Sequence, residues 1–102
     1  MASLHTVNHG PNQSNALQRC LRLAEDGSAL LLLEDGVYAA LAANQAHDPL
    51  REHLVRLRVY VLEPDLLARG LVDCALATGI ERVDYDEFVQ LAARCERVVS
   101  WN

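Results

Sequence analysis

Leu4-His5-Thr6-Val7-Asn8 alternates apolar and polar positions and reads as a first strand. His9-Gly10-Pro11 breaks it. Asn12 or Ser14 can cap a helix that runs to about Asp26, with Gly27 placed to end it in a left-handed conformation. Within it Leu17, Cys20, Leu21 and Ala24 follow the i, i+3, i+4, i+7 spacing of one buried stripe, and Arg19, Arg22 and Glu25 fall outside. The run 29–33 (Ala-Leu-Leu-Leu-Leu) is continuous rather than alternating, as expected for a strand covered on both faces. Glu34-Asp35-Gly36 ends it, and the alanine-rich stretch 37–43 is long enough for two helical turns.

Residues 44–49 have the composition of an exposed loop, and 50–54 fit no pattern better than a helical turn. Residues 58–62 (Arg-Val-Tyr-Val-Leu) are β-branched and aromatic and predict another strand. Pro64 stands where proline starts helices well, with Asp65 in the first turn and Gly70 at the stop. From Leu71 to Ile80 the pattern is weak, with Thr78-Gly79 as a turn. Asp84 and Glu87 form a capping-box pair, and Val83 and Phe88 have the spacing of a hydrophobic staple across it. Tyr85, Phe88, Val89, Ala92 and Cys95 are the expected buried stripe of that last helix, and 97–101 reads as a closing strand. Alternating strands and helices predict an α/β fold: a mostly parallel sheet with helices on both faces, joined by right-handed crossovers. At 102 residues, residues 1–102 make one domain.

Charge narrows the chemistry. The net charge is −5, all nine basic residues are arginine, and lysine is missing. A Walker phosphate lysine and a Schiff-base lysine are therefore excluded from this chain. An acidic balance also argues against direct nucleic-acid binding, which needs clustered positive charge. Arg51, Arg56 and Arg58 are interspersed with Asp48 and Glu52 and read as a solvated face. No apolar run is long enough for a membrane span, and Met1-Ala2-Ser3-Leu4-His5 lacks the start of a secretory signal, so the expected place is the cytoplasm. No glycine-rich phosphate loop and no nucleophile elbow occur, so no cofactor is expected. The three cysteines are far apart, and His5-x-x-x-His9 straddles a strand end and a turn, so neither a disulfide framework nor a metal site is expected.

Two sets of residues could still react. The carboxyl edge of a parallel sheet would present Asn8, Glu34, Asp35 and Glu63. A desolvated member of such a carboxylate pair can act as acid or base, whereas Asp35 and Glu63 can equally cap the helices beginning beside them. The thiols are the other set. Cys20, in the middle of an apolar arc and beyond the first helical turn, suits an inert packed thiol. Arg19 and Arg22 beside it could instead support a thiolate at a subunit boundary. Cys95 has Glu96 next to it, a poor setting for a thiolate, and Cys74 lies in the least regular stretch.

Several phrases, in order and over nearly the whole chain, resemble the DsrH/TusB family of intracellular sulfur transfer. They are 4–8 (Leu-His-Thr-Val-Asn), 29–40 (from the leucine run through Glu-Asp-Gly-Val-Tyr-Ala-Ala), 59–71 (Val-Tyr-Val-Leu-Glu-Pro-Asp onward), 83–89 (Val-Asp-Tyr-Asp-Glu-Phe-Val) and a tryptophan at the extreme end. The resemblance implies a three-layer α/β/α sandwich with a sheet of about five strands. It also implies a heterohexamer with DsrE/TusD-like and DsrF/TusC-like subunits that relays persulfide sulfur to a DsrC/TusE-like carrier. One branch of the family serves sulfur oxidation, and the other feeds 2-thiolation of the tRNA wobble uridine. The main active cysteine is expected on the DsrE/TusD-like partner. Cys20 matches the first-helix cysteine of DsrH-like members, which many TusB members lack. It is therefore the candidate persulfide site here and tilts the expectation towards sulfur oxidation, with a non-catalytic TusB-like scaffold as the alternative. Asn12 departs from the family, which often has an aromatic residue after the proline.

Overall fold

A computed structural model describes residues 3–42 and 49–102. Five strands, β1 (Ser3–Val7), β2 (Ala29–Leu32), β3 (Arg58–Leu62), β4 (Ile80–Val83) and β5 (Arg97–Trp101), form one sheet in the order β4-β3-β2-β1-β5. Every pairing is parallel. Between the strands lie helices α1 (Ala16–Leu23), α2 (Glu63–Ala68) and α3 (Tyr85–Arg94), and the 3-10 segments Glu34–Ala40 and Pro49–His53.

Strand alternation separates two cores. Val7, Leu30, Leu32, Val59 and Val61 point to the side covered by α1, the first 3-10 segment and α2. Leu4, Ala29, Leu31, Leu62 and Val83 point to the side where Leu91 of α3 packs. The chain is thus the expected α/β/α sandwich. The leucine run of β2 is buried throughout because both faces are covered; each such leucine contributes about 1.5–3 kcal/mol. The strands step in one direction from β1 to β4, so their three connections share a face, and α3 alone returns across the other.

Local signals fixed several ends. Asp84 accepts from the Glu87 N–H at 2.8 Å while Glu87 accepts from the Asp84 N–H at 3.0 Å, closing the expected capping box. Gly70, at φ +68°, ends α2 in a Schellman turn: Leu71 N–H donates to the Leu66 carbonyl at 2.8 Å and Gly70 N–H to that of Leu67 at 3.1 Å.

Other expectations are corrected. Helix α1 ends at Leu23 rather than near Asp26, and Gly27, at φ +84°, belongs to the following turn. Where a helix is expected over 37–43 the chain forms a 3-10 segment, Glu34–Ala40, and residues 43–48, which include most of the loop expected at 44–49, lie outside the described residues. Strand β4 lacks an apolar signal in the sequence, because its Glu81-Arg82 centre suits a sheet edge, where charge is tolerated. Arg56 is not on a solvated face. Its guanidinium donates to the carbonyls of Leu21 and of Ala24 (2.7 Å), its Nε donates to His53 Nδ1 at 2.8 Å, and it pairs with Asp26 at 3.3 Å. It supplies the donors that the carboxyl end of α1 lacks.

Candidate functional site

Strand β1 is where the strand order reverses, with β2 on one side and β5 on the other, so the crevice at its carboxyl end is the expected functional edge. Gly36 sits directly over it, and a β-carbon there would collide with the Val7 carbonyl. That close approach brings Asp35 to the turn after β1. Asp35 accepts from Gln13 Nε2 at 2.9 Å and from Arg69 Nε at 2.8 Å, and Gln13 Oε1 in turn accepts from the Gly10 N–H at 2.7 Å. The Glu34 N–H donates to Asp65 at 2.6 Å, which holds Glu34 at φ +49°, a left-handed geometry unusual outside glycine.

These bonds tie down Asp35 among the edge carboxylates. The hydrogen bond from Gln13, and then the one from Arg69, hold the Asp35 carboxyl below its ordinary range. An acid kept ionised in this way suits a strap between the turn, the 3-10 segment and α2 better than proton transfer. Asp35 and Glu63 lie in the first turns of their segments, but neither makes the expected side-chain cap. Gln13 and Arg69 had no sequence signal, because their link to Asp35 spans 22 and 34 residues.

On the β5 side of the crevice, Trp101 Nε1–H donates to His5 Nδ1 at 3.0 Å, and the Arg19 guanidinium lies 5.9 Å from the indole centroid. Arg19 also donates to the Asn102 carbonyl at 3.1 Å. His5 is therefore committed to the indole, away from His9, and the described residues contain no group of three or more His, Cys, Asp or Glu that could hold a metal ion.

Cys20 is fully buried, packed with Leu17, Leu21 and Ala24 beneath Val7 and Leu30. Burial pushes its thiol up to about 12 against the smaller opposing pull of Arg56. The arginines expected to support a thiolate do not face it: Arg19 turns to Trp101, and Arg22 is exposed. Cys95 is half-buried at the carboxyl end of α3, and Cys74 is the exposed thiol among the described residues. A surface depression of about 320 Å³ is lined, among the described residues, by Ala42, Arg51, Leu54, Leu76, Ala77 and Thr78, which include no acid–base pair.

The sequence profile of the family described as "DsrH like protein" matches residues 9–98. Protein TusB of Pectobacterium parmentieri is 39% identical over 98 residues, 96% of this chain and 99% of that protein. Protein TusB of Salmonella arizonae and of Shigella dysenteriae are 38% and 37% identical over the same shares. Among solved structures, the ychN protein of E. coli superposes with a TM-score of 0.80 over 99% of this chain and 100% of that one, at 22% identity, a likeness of fold. Protein Tm0979 of Thermotoga maritima gives 0.58 at 26% identity, over 89% of this chain and 91% of that one. With that profile match and relatives aligned end to end, the chain is a member of the DsrH/TusB family.

Proposed function

We propose that this chain is the TusB-like, non-catalytic subunit of the sulfur relay that feeds 2-thiolation of the tRNA wobble uridine. The observation behind this reading is the full-length similarity to proteins named TusB. The burial of Cys20 fits it: persulfide transfer needs an accessible, partly ionised thiol, and this one is neither. The first-helix cysteine points towards sulfur oxidation, whereas its core position supports the scaffold alternative. In this role the subunit assembles with DsrE/TusD-like and DsrF/TusC-like partners in a heterohexamer, and a partner's cysteine hands sulfur to a DsrC/TusE-like carrier.

The test is complementation in a strain lacking its own TusB-type protein, read as 2-thiouridine in tRNA by mass spectrometry. Wild type and Cys20→Ala should restore thiolation equally, and tagged chain should retain both partner types. Thiolation that persists without the chain would overturn the relay assignment. Sulfur mass on Cys20 after loading, with lost transfer in Cys20→Ala, would overturn the scaffold assignment.

A further inference from the structure

Helix α3 leaves two of its ridges uncovered. Tyr85 and Val89 are 56% and 65% exposed, although the apolar periodicity marks them for burial, and Ala93 continues the same i, i+4, i+8 row in solvent. The neighbouring row is Asp86, Gln90 and Arg94, all exposed. Asp86 and Arg94 take no ion pair among the described residues. The inner side of α3 is already satisfied by Leu91, Phe88 and Ala92 against the sheet.

Rows at i±4 spacing are the ridges by which helices pack against one another. These two rows are self-complementary under a two-fold axis. With α3 of a second copy antiparallel across Val89 and Gln90, Tyr85 meets the small Ala93 of the other copy, and Asp86 meets its Arg94. The same two contacts recur on the other side of the axis, as an isologous interface requires. A parallel arrangement would instead stack Asp86 on Asp86 and Arg94 on Arg94.

We infer that the outer face of α3 docks a second copy of this chain, antiparallel, through Tyr85, Val89 and Ala93 with Asp86–Arg94 pairs flanking them. One helix face buries less than the roughly 1,000 Å² that marks a stable pair, so the contact is weak and depends on concentration. The inference does not depend on the relay reading, since it concerns self-association alone.

Sedimentation equilibrium over a wide concentration range provides the test. The wild-type chain should approach twice the monomer mass as concentration rises. Val89→Glu should raise the dissociation constant about tenfold or more without loss of fold, since the position is exposed. Asp86→Arg and Arg94→Asp should each weaken association, and the double exchange should restore it, which only the antiparallel pairing allows. A wild type monomeric at every concentration, or single charge reversals without effect, would overturn the inference. So would Val89→Glu if it abolished binding of a purified relay partner while self-association stayed intact.

Discussion

Trp101 and His5 add a side-chain hydrogen bond, indole N–H to imidazole Nδ1 at 3.0 Å, to the parallel pairing of the last strand with the first. The bond requires an unprotonated Nδ1, so the proton of the neutral ring sits on Nε2. Burial, and then the nearby Arg97, lower the His5 pKa from its ordinary 6.5, while Glu25 opposes them. A histidine with a depressed folded-state pKa takes up its proton more readily in the unfolded chain. Its contribution to stability is therefore complete above about pH 6.5 and declines as the pH falls from there towards the folded value. Denaturant titrations of the wild type should show stability falling as the pH drops below about 6.5. His5→Gln should flatten that slope, and emission from Trp101, the chain's one tryptophan, should report release of the edge strand. An unchanged slope in the variant would reject the assignment.

Arg56 is expected to be the most costly arginine to lose. It is half-buried and serves two carbonyls at the end of α1, His53 and Asp26 together. Charge-assisted hydrogen bonds of this kind are worth about 1.5–3 kcal/mol, so Arg56→Ala should lower unfolding free energy by roughly 2 kcal/mol. Arg56→Lys should recover less than half, since an ammonium cannot fork between two carbonyls and a ring nitrogen. Exposed Arg51 and Arg58 are the controls, and their alanine variants should lie within about 0.5 kcal/mol of wild type.

The contrast between Arg56 and its neighbours marks where the sequence stopped being informative. Short-range chemistry was legible: the leucine run of β2, the Asp84–Glu87 box and the Gly70 stop each rest on residues within a few positions of one another. Contacts across the fold were not, because nothing near Asp35 in the chain names Gln13 or Arg69, and nothing near Arg56 names Leu21. Periodicity correctly made α3 amphipathic. It could not say that Tyr85 and Val89 would be left outside, since coverage depends on which element packs where. Likewise Cys20 was on the apolar stripe from the start, and only its depth beneath the sheet decides how its thiol behaves.

Thiol labelling follows from that depth. In the folded chain Cys74 should react first with a thiol reagent, Cys95 more slowly and Cys20 only on unfolding. Raising the pH to 9 should leave Cys20 protected, because its thiol titrates near 12. Cys20→Ser should cost about 1–3 kcal/mol by burying a hydroxyl without a partner, more than its effect on any assembled activity. Rapid labelling of Cys20 under native conditions would show that α1 opens, and would return the persulfide reading to the chain.

Gly36 gives the sharpest packing prediction. The 3-10 segment lies so close over the carboxyl end of β1 that a β-carbon at Gly36 would overlap the Val7 carbonyl oxygen and come within 3.0 Å of its carbon. Both groups are backbone, so no side-chain rotation can relieve the clash. The Gly36 N–H also donates to the Leu33 carbonyl at 2.9 Å and Leu33 N–H to the Val7 carbonyl at 3.1 Å, so the segment cannot lift without losing bonds. Gly36→Ala should therefore destabilise the fold by about 2 kcal/mol or more, as overpacking does where relaxation is blocked. Displacement of the segment would also pull Asp35 from Arg69 and Gln13, so Arg69→Ala should add less in the Gly36→Ala background than alone. Full additivity of the two in a denaturant-melt cycle would show that Gly36 does not position Asp35.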